Sequence, residues 1–139
     1  MNIQKMKESQ YKCRAKAYQR QIDKLKEKYF TVNNNLQTIR ISNRKLNCLR
    51  WGSNETKEHI LKKLDICLWL KEIEHEFITE AIFNNGSRAD VVDLTSGIIY
   101  EVLVSEDESK FEEKVSKYPQ EFEIKKIKTN ARYEQNCHL

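Results

Sequence analysis

Glycine, proline and long apolar runs are scarce in this sequence. Its 139 residues include 3 glycines and 1 proline, so few positions break a helix or require a left-handed backbone. No apolar run approaches the roughly 18 residues that a membrane-spanning helix needs, and the opening segment MNIQKMKESQ lacks the apolar core of a signal peptide. We therefore expect a cytoplasmic protein that makes no contact with a membrane.

Cysteine is present but forms no recognisable pattern. The 4 cysteines are spread along the chain without a CxxC pair or a zinc-type spacing, at Cys13, Cys48, Cys67 and Cys137. This distribution argues against both a disulfide framework and a structural zinc site. We expect four free thiols.

Charge is abundant and unevenly distributed. Residues 1–50 contain 13 Lys and Arg against 3 Asp and Glu, a net charge of +10, whereas the remaining 12 basic and 18 acidic residues give −6. This division favours a basic limb that binds a polyanion, attached to an acidic domain with another role. The alternative is a solvated helix that is rich in lysine and binds nothing.

Residues 1–52 are predicted to form a basic helical arm. From Tyr11 onward the larger side chains recur in alternating steps of four and three, the heptad spacing of a coiled coil. These residues are Tyr11, Ala15, Tyr18, Ile22, Leu25, Tyr29, Val32, Leu36 and Ile39. Two structures fit this pattern: one long helix that pairs with a second copy as a homodimer, which we favour, or a helical hairpin that turns at Asn33–Asn35.

Basic side chains of the arm lie away from the apolar seam and can each contact a phosphate. The arm candidates are Lys12, Arg14, Lys16, Arg20 and Lys24, and Arg88 is a further candidate in the second half of the chain. Phosphate contacts of this kind are independent of base sequence and weaken with salt. Because no base-reading motif is present, we expect DNA binding without sequence specificity.

Residues 53–129 are predicted to form an α/β domain with the order α-β-β-β-α-β. Ser53 or Asn54 is a suitable N-cap for a helix through ETKEHILKKLDICLWLKEI. HEFITEAIF, RADVVDL and IIYEVLVS have strand character, and their short connections predict an antiparallel meander. A second helix is expected from Ser105 to the single proline, followed by the strand EFEIKKIK, while the tail 130–139 is expected to be flexible.

Two acids on neighbouring strands are the main candidates for chemistry. Alternation places Asp90 and Glu101 on one face as cross-strand neighbours among apolar residues. Two such carboxylates repel each other and lose hydration, a cost that a divalent cation offsets. The pair can therefore hold Mg²⁺ or Mn²⁺ and activate water against a phosphodiester. Alternatively, Asp90 pairs with Arg88 at the turn and Glu101 is exposed on an edge strand.

The order of elements and the segment GSRADVVDLTSGIIYEVLVSE resemble the PD-(D/E)XK nuclease superfamily, in its restriction-endonuclease-like and Holliday-junction-resolvase-like branches. The resemblance covers about residues 53–128. It implies a restriction-endonuclease-like core with a mixed sheet, acting on DNA with Mg²⁺ or Mn²⁺ held by Asp90 and Glu101. It also implies that Glu58, with Glu55 as second choice, is the acid supplied by the first helix.

One position departs from the superfamily pattern. Two residues after Glu101 the superfamily has a lysine that orients or stabilises the attacking water, whereas this chain has Leu103, which donates no hydrogen bond. Either a lysine from another element reaches the site, or the domain is an inactive nuclease fold that serves in DNA binding or assembly. The candidate lysines are Lys62, Lys63, Lys110 and Lys114, with Lys63 preferred. His59, as a ligand or proton carrier, and Glu80 are further candidates.

Overall fold

The computed structural model describes residues 2–103 and 108–129, and it has an α/β fold with a long N-terminal helix. In chain order the elements are α1 Ile3–Leu36, a short 3-10 turn Ile41–Asn43, α2 Lys57–Glu72, β1 Phe77–Ile82, β2 Arg88–Asp93, β3 Ile98–Leu103, α3 Glu108–Ser116 and β4 Glu123–Lys128. The predicted α-β-β-β-α-β order is confirmed. The expected helix start at Ser105 and the tail 130–139 lie outside the described residues.

The four strands form one mixed sheet in the order β1-β2-β3-β4. The two hairpin connections make β1, β2 and β3 antiparallel, as predicted, and their turns contain Gly86 and Gly97 with φ of 90° and 74°. β4 pairs in parallel with β3, because the connection through α3 returns the chain to the edge of the sheet at which β3 begins. This crossover makes β3 a central strand.

Both faces of the sheet are covered by apolar side chains. One cluster contains Ile78, Val92, Ile99, Tyr118 and Phe122, together with Val32 and Ile39 from the N-terminal segment. The other lies beneath α2 and contains Ile66, Leu70, Val91, Tyr100 and Val102. The adjacent Val91 and Val92 of β2 therefore pack on opposite faces of the sheet, which explains why two consecutive apolar residues occur in this strand.

The N-terminal segment forms one helix and then joins the core. The helical hairpin is wrong, because the backbone remains helical through Asn33–Asn35 and the Asn35 side chain donates a hydrogen bond to the Leu94 carbonyl at 2.6 Å. Val32 and Ile39 are buried, and Ile39 bridges to Phe83. The compact unit thus begins well before residue 53, where the sequence pattern placed its boundary.

Helix α2 begins later than expected, and its buried face includes a lysine. Its N-cap is Thr56, whose hydroxyl accepts the His59 N–H at 3.3 Å, rather than Ser53 or Asn54. Leu68 of this helix is 50% exposed, whereas Lys63 is fully buried. The buried face can include a lysine because carboxylates from neighbouring elements satisfy its charge.

The exposed part of α1 leaves its apolar seam uncovered in the single chain. The large residues that remain exposed along it include Tyr11, Tyr18, Leu25 and Tyr29. Homodimerisation through this seam stays a prediction. Within residues 2–103 and 108–129, no helix is both long enough and apolar enough to cross a membrane.

Candidate active site

The candidate site lies where β2 and β3 separate. Their backbone pairing ends at Val91 and Tyr100. Beyond this pair, the Asp90 N–H donates to Glu101 Oε1 at 3.3 Å, and the Val102 N–H donates to Asp90 Oδ2 at 2.8 Å. The two carboxylates therefore take over the hydrogen bonds that a continued ladder would have made.

Both acids are buried side by side, as the alternation predicted. Asp90 is 8% exposed and Glu101 is 2% exposed. The alternative, an exposed Glu101 on an edge strand, is wrong because β3 lies between β2 and β4. Two adjacent carboxylates at this depth require compensating positive charge.

Lys114 of α3 supplies part of that charge. Its Nζ donates to Glu101 Oε2 at 2.9 Å, and the Tyr118 hydroxyl contacts Glu101 Oε1. Burial and the negative charge of Asp90 raise the pKa of Glu101 to about 7, because Lys114 and Tyr118 offset them only in part. Burial and the adjacent Glu101 carboxylate likewise raise the pKa of Tyr118.

His59 approaches the other acid from α2. Its Nε2 lies 3.4 Å from Asp90 Oδ2, and its Nδ1 lies 3.1 Å from Glu55 Oε2. The hydrogen bond to Asp90 is the largest cause that raises the pKa of His59 to about 9. Burial opposes ionisation of Asp90, but the bond from His59 and the charge of Lys114 hold its pKa below the usual value. The raised pKa favours the protonated form of His59, which donates hydrogen bonds from both ring nitrogens and leaves no lone pair for a metal ion.

Lys63 is the centre of a second, adjoining network. Its fully buried Nζ donates to Glu55 Oε1 at 3.1 Å, to Glu80 Oε1 at 2.7 Å and to the Arg50 carbonyl at 2.5 Å. Burial raises the pKa of Glu80. Burial has the same tendency on Glu55, but hydrogen bonds from Glu80 and Lys63 outweigh it and lower the pKa of Glu55. Lys63 therefore balances two acids.

Glu80 reaches this network through an unusual backbone conformation. Its φ is 50°, in the left-handed region that non-glycine residues seldom adopt. Glu80 and Asp90 lie opposite each other between two regular pairs of the β1–β2 ladder but do not pair themselves. Such strain persists where the surroundings hold it in place, and here the bond from Lys63 does so.

A cavity of about 240 Å³ opens beside the two acids. Its lining includes His59, Asp90, Glu101, Leu103, Lys110 and Lys114. Leu103 contributes an apolar side chain to this lining, at the position where the predicted resemblance would require a lysine. The ammonium group nearest to Glu101 instead comes from α3.

The remaining predicted residues fall into three groups. Glu58, the first choice for the acid from the first helix, is exposed in the first turn of α2, whereas the second choice, Glu55, contacts His59. Lys63 contacts neither Asp90 nor Glu101, whereas Lys114 contacts Glu101. The basic residues proposed to bind DNA are all exposed and outside the cavity: Lys12, Arg14, Lys16, Arg20, Lys24 and Arg88.

Tyr118 was not foreseen as a site residue, although the sequence contained a signal. Lys114 and Tyr118 are four residues apart, a spacing that predicts one shared face if the helix continues, and although α3 ends at Ser116 both side chains contact Glu101. The segment after β3 crosses back over the sheet to reach β4, so one of its sides packs against β3, which carries Glu101. The pair could have been identified from this spacing together with the crossover.

The chemistry of the two acids fits a partly hydrated Mg²⁺ or Mn²⁺. Mg²⁺ is commonly bound by one or two carboxylates, with waters and substrate phosphates completing its octahedron. Among the described residues, no three His, Cys, Asp or Glu side chains are grouped so as to hold a metal ion. Asp90 and Glu101 thus offer two carboxylates, and both are engaged by neighbouring side chains, Asp90 by His59 and Glu101 by Lys114 and Tyr118.

Comparisons with known proteins identify no relative of this chain. No family model matches the sequence, and neither the curated proteins nor the solved structures gave a significant match. What the protein does must therefore be inferred from Asp90, Glu101 and the side chains around them.

Proposed function

We propose that this protein is a metal-dependent nuclease that hydrolyses phosphodiester bonds in DNA. The observation that carries the proposal is the convergence of Asp90, Glu101 and Lys114, from three elements, on one cavity. Carboxylates beside an ammonium group are what metal-assisted phosphodiester hydrolysis needs: ligands for the cation and a positive charge for the phosphate or the attacking water.

The architecture supports a restriction-endonuclease-like core. An antiparallel β1–β3 meander, a helical crossover and a parallel β4 follow α2 in the order that this resemblance implies. The two acids also lie on adjacent strands at one end of their pairing. This resemblance lies only in the arrangement of helices and strands. Because one fold can host many reactions, the proposal of hydrolysis depends on the side chains of the site.

Each residue of the site has a distinct role in this proposal. Asp90 and Glu101 hold Mg²⁺ or Mn²⁺, which supplies Lewis-acid polarisation and a more acidic bound water. Lys114 takes the role that Leu103 cannot fill, by presenting an ammonium group to the reacting phosphate. His59 keeps Asp90 ionised and fixes its orientation through the 3.4 Å contact.

Lys63 acts in this proposal as a positioning residue. Its Nζ donates to the carboxylates of Glu55 and Glu80 and to the Arg50 carbonyl, and these bonds fix the position of Glu55 beside His59. Because His59 in turn contacts Asp90, loss of Lys63 displaces the site indirectly. This role replaces the catalytic one that the sequence pattern favoured.

The basic arm supports DNA as the substrate. Residues 3–31 contain nine Lys and Arg and three Asp and Glu, and almost all of them are exposed. Cations spaced along an extended helix can neutralise successive phosphates without reading bases. In the proposal, the arm supplies affinity and the core performs the cleavage.

We propose that two copies pair through the arm, and that salt or DNA favours this homodimer. The eight positions that flank the apolar seam contain no acid: Lys5, Lys7, Lys12, Arg14, Gln19, Gln21, Lys26 and Lys28. Pairing of two copies would therefore place like charges beside each other. Screening by salt, or neutralisation by a phosphate backbone, would relieve this repulsion.

The test is cleavage of supercoiled plasmid and end-labelled duplex DNA with Mg²⁺, Mn²⁺ or EDTA. We expect metal-stimulated cleavage that is lost in Asp90→Asn and Glu101→Gln, and that falls about 100-fold or more in Lys114→Met. Glu58→Gln, which changes an exposed acid of α2, is the matched control and should retain activity. Cleavage that persists in both Asp90→Asn and Glu101→Gln would overturn the assignment.

A DNA-binding or assembly module on an inactive nuclease fold is the second candidate. Leu103 favours it, and so does the engagement of both Glu101 oxygens by Lys114 and Tyr118. A carboxylate held in this way must give up a partner to bind a cation. Binding of duplex DNA without cleavage in any divalent metal would select this function.

A further inference from the structure

An exposed tryptophan lies in the segment that leads from the N-terminal part of the chain into α2. Trp51 is 58% exposed, and it is one of only two tryptophans in the sequence. Tryptophan is the most costly side chain to leave in water, and at recognition surfaces it is a preferred contact residue. A single exposed aromatic residue does not define a site, so its surroundings decide what it can do.

The backbone on both sides of Trp51 is held firmly. The Arg50 N–H donates to Thr79 Oγ1 at 2.8 Å, and the Arg50 carbonyl accepts from Lys63 Nζ at 2.5 Å. On the other side, the Gly52 N–H donates to Glu55 Oε1 at 3.2 Å. The indole is therefore held in solvent by a fixed backbone, not by a free loop that could fold it away.

The same bonds connect Trp51 to the candidate active site. Lys63, which binds the Arg50 carbonyl, also binds Glu55. Glu55 contacts His59 at 3.1 Å, and His59 lies 3.4 Å from Asp90. A continuous series of polar contacts thus fixes the segment that carries the indole relative to Asp90.

The Lys63 network also contacts a cationic side chain. Arg88 is 63% exposed, and its Nη1 is 3.8 Å from Glu80 Oε2. Glu80 in turn accepts from Lys63 at 2.7 Å. One polar network therefore contacts both the segment that carries the indole and a guanidinium group that can bind a phosphate.

We propose that Trp51 stacks on an unpaired base of a bound nucleic acid strand, so that the protein prefers single-stranded or frayed nucleic acid to intact duplex. In a duplex the faces of each base are covered by its neighbours, whereas an unpaired base offers a free face to an indole. The inference rests on nucleic acid as the ligand of the proposed function, but it does not require hydrolysis.

The test uses the fluorescence of Trp51 itself. In Trp69→Phe, Trp51 is the only tryptophan of the full-length chain. This variant is titrated in EDTA with oligo(dT), oligo(rU) and a blunt duplex, each about 12 nucleotides long, within the usual footprint of single-strand binding. We expect quenching by the single strands and an affinity for them at least about 5-fold above that for the duplex.

Variants of Trp51 in the otherwise natural sequence separate stacking from general affinity. Trp51→Ala should weaken binding of the single strands by about 5-fold to 150-fold and leave duplex affinity within about 2-fold, whereas Trp51→Phe should retain most of the affinity. Ile41→Ala, which also removes an exposed apolar side chain from the compact unit, is the control and should change neither affinity.

The outcomes separate this inference from the nuclease proposal. Equal affinities for single strand and duplex, an unquenched Trp51 at saturation, or unchanged affinity in Trp51→Ala would each overturn the stacking role. If the protein cleaves DNA but Trp51→Ala binds single strands with unchanged affinity, only the stacking role is refuted. Stacking in a protein that cleaves nothing refutes hydrolysis alone. If no oligonucleotide binds in EDTA and no DNA is cleaved with Mg²⁺ or Mn²⁺, both proposals are refuted.

Discussion

Replacement of Lys63 by methionine should lower the free energy of unfolding by about 3 to 5 kcal/mol. Methionine has a similar length and leaves little cavity, so the change removes mainly the charge. Lys63 is fully buried, and without it the carboxylates of Glu55 and Glu80, each 16% exposed, remain beside each other with no cation between them. Breaking a buried pair in this way costs more than the pair itself contributes.

The loss should depend on pH in a defined direction. Burial already raises the pKa of Glu80, and the removal of Lys63 raises it further because the lysine is what opposes the shift. A carboxyl group with a raised pKa in the folded state costs stability as pH rises, because the folded protein must then ionise it. The destabilisation by Lys63→Met should therefore be smaller at pH 5 than at pH 8.

Urea unfolding followed by circular dichroism measures the effect. The slope of the free energy of unfolding against urea concentration should stay constant, while the urea concentration at the midpoint of unfolding falls. Lys57→Met, an exposed lysine on the same helix, should change stability by less than about 0.5 kcal/mol. Glu80→Gln should restore part of the loss when it is added to Lys63→Met. A loss below about 1 kcal/mol, or a double variant less stable than the single one, would refute a charge-balancing role.

Three further outcomes test the arm and the thiols. Combined substitution of Lys16, Arg20 and Lys24 by glutamine should reduce the slope of log affinity for duplex DNA against log salt by about 2.7, and an unchanged slope would exclude these phosphate contacts. Sedimentation should show more dimer in high salt than in low salt, and the reverse would exclude seam pairing limited by repulsion. Iodoacetamide should modify the exposed Cys13 in the folded chain but reach Cys67 only after unfolding, because burial raises the pKa of Cys67 to about 12; equal rates would contradict its burial.

Local pattern was sufficient to predict the secondary structure and one central contact. Short connections between strand-like segments left room only for antiparallel hairpins, and the single long connection was helical. The two-residue period of a strand then placed Asp90 and Glu101 on one face. These predictions succeeded because each depends on neighbours in sequence or across one tight turn.

Helix α2 shows where local pattern was insufficient. Several polar residues before it are acceptable N-caps, and the choice of Thr56 determines which acid lies beside His59. The structure brings Glu55, not Glu58, to that place. Lys63 also appeared suited to solvent or catalysis, since the sequence cannot show that two carboxylates and a carbonyl surround it.

By itself, the sequence determined the order of elements, the meander, the unequal charge of the two halves and the pairing of Asp90 with Glu101. The tertiary structure decided that Lys114 reaches Glu101, that Val32 and Ile39 belong to the core, and that Trp51 is exposed. The physical reason is the range of the interactions. Periodicity and turn length act within a few residues, whereas the meeting of α2, α3 and the sheet depends on how distant apolar faces pack, and on which buried charges that packing forces together.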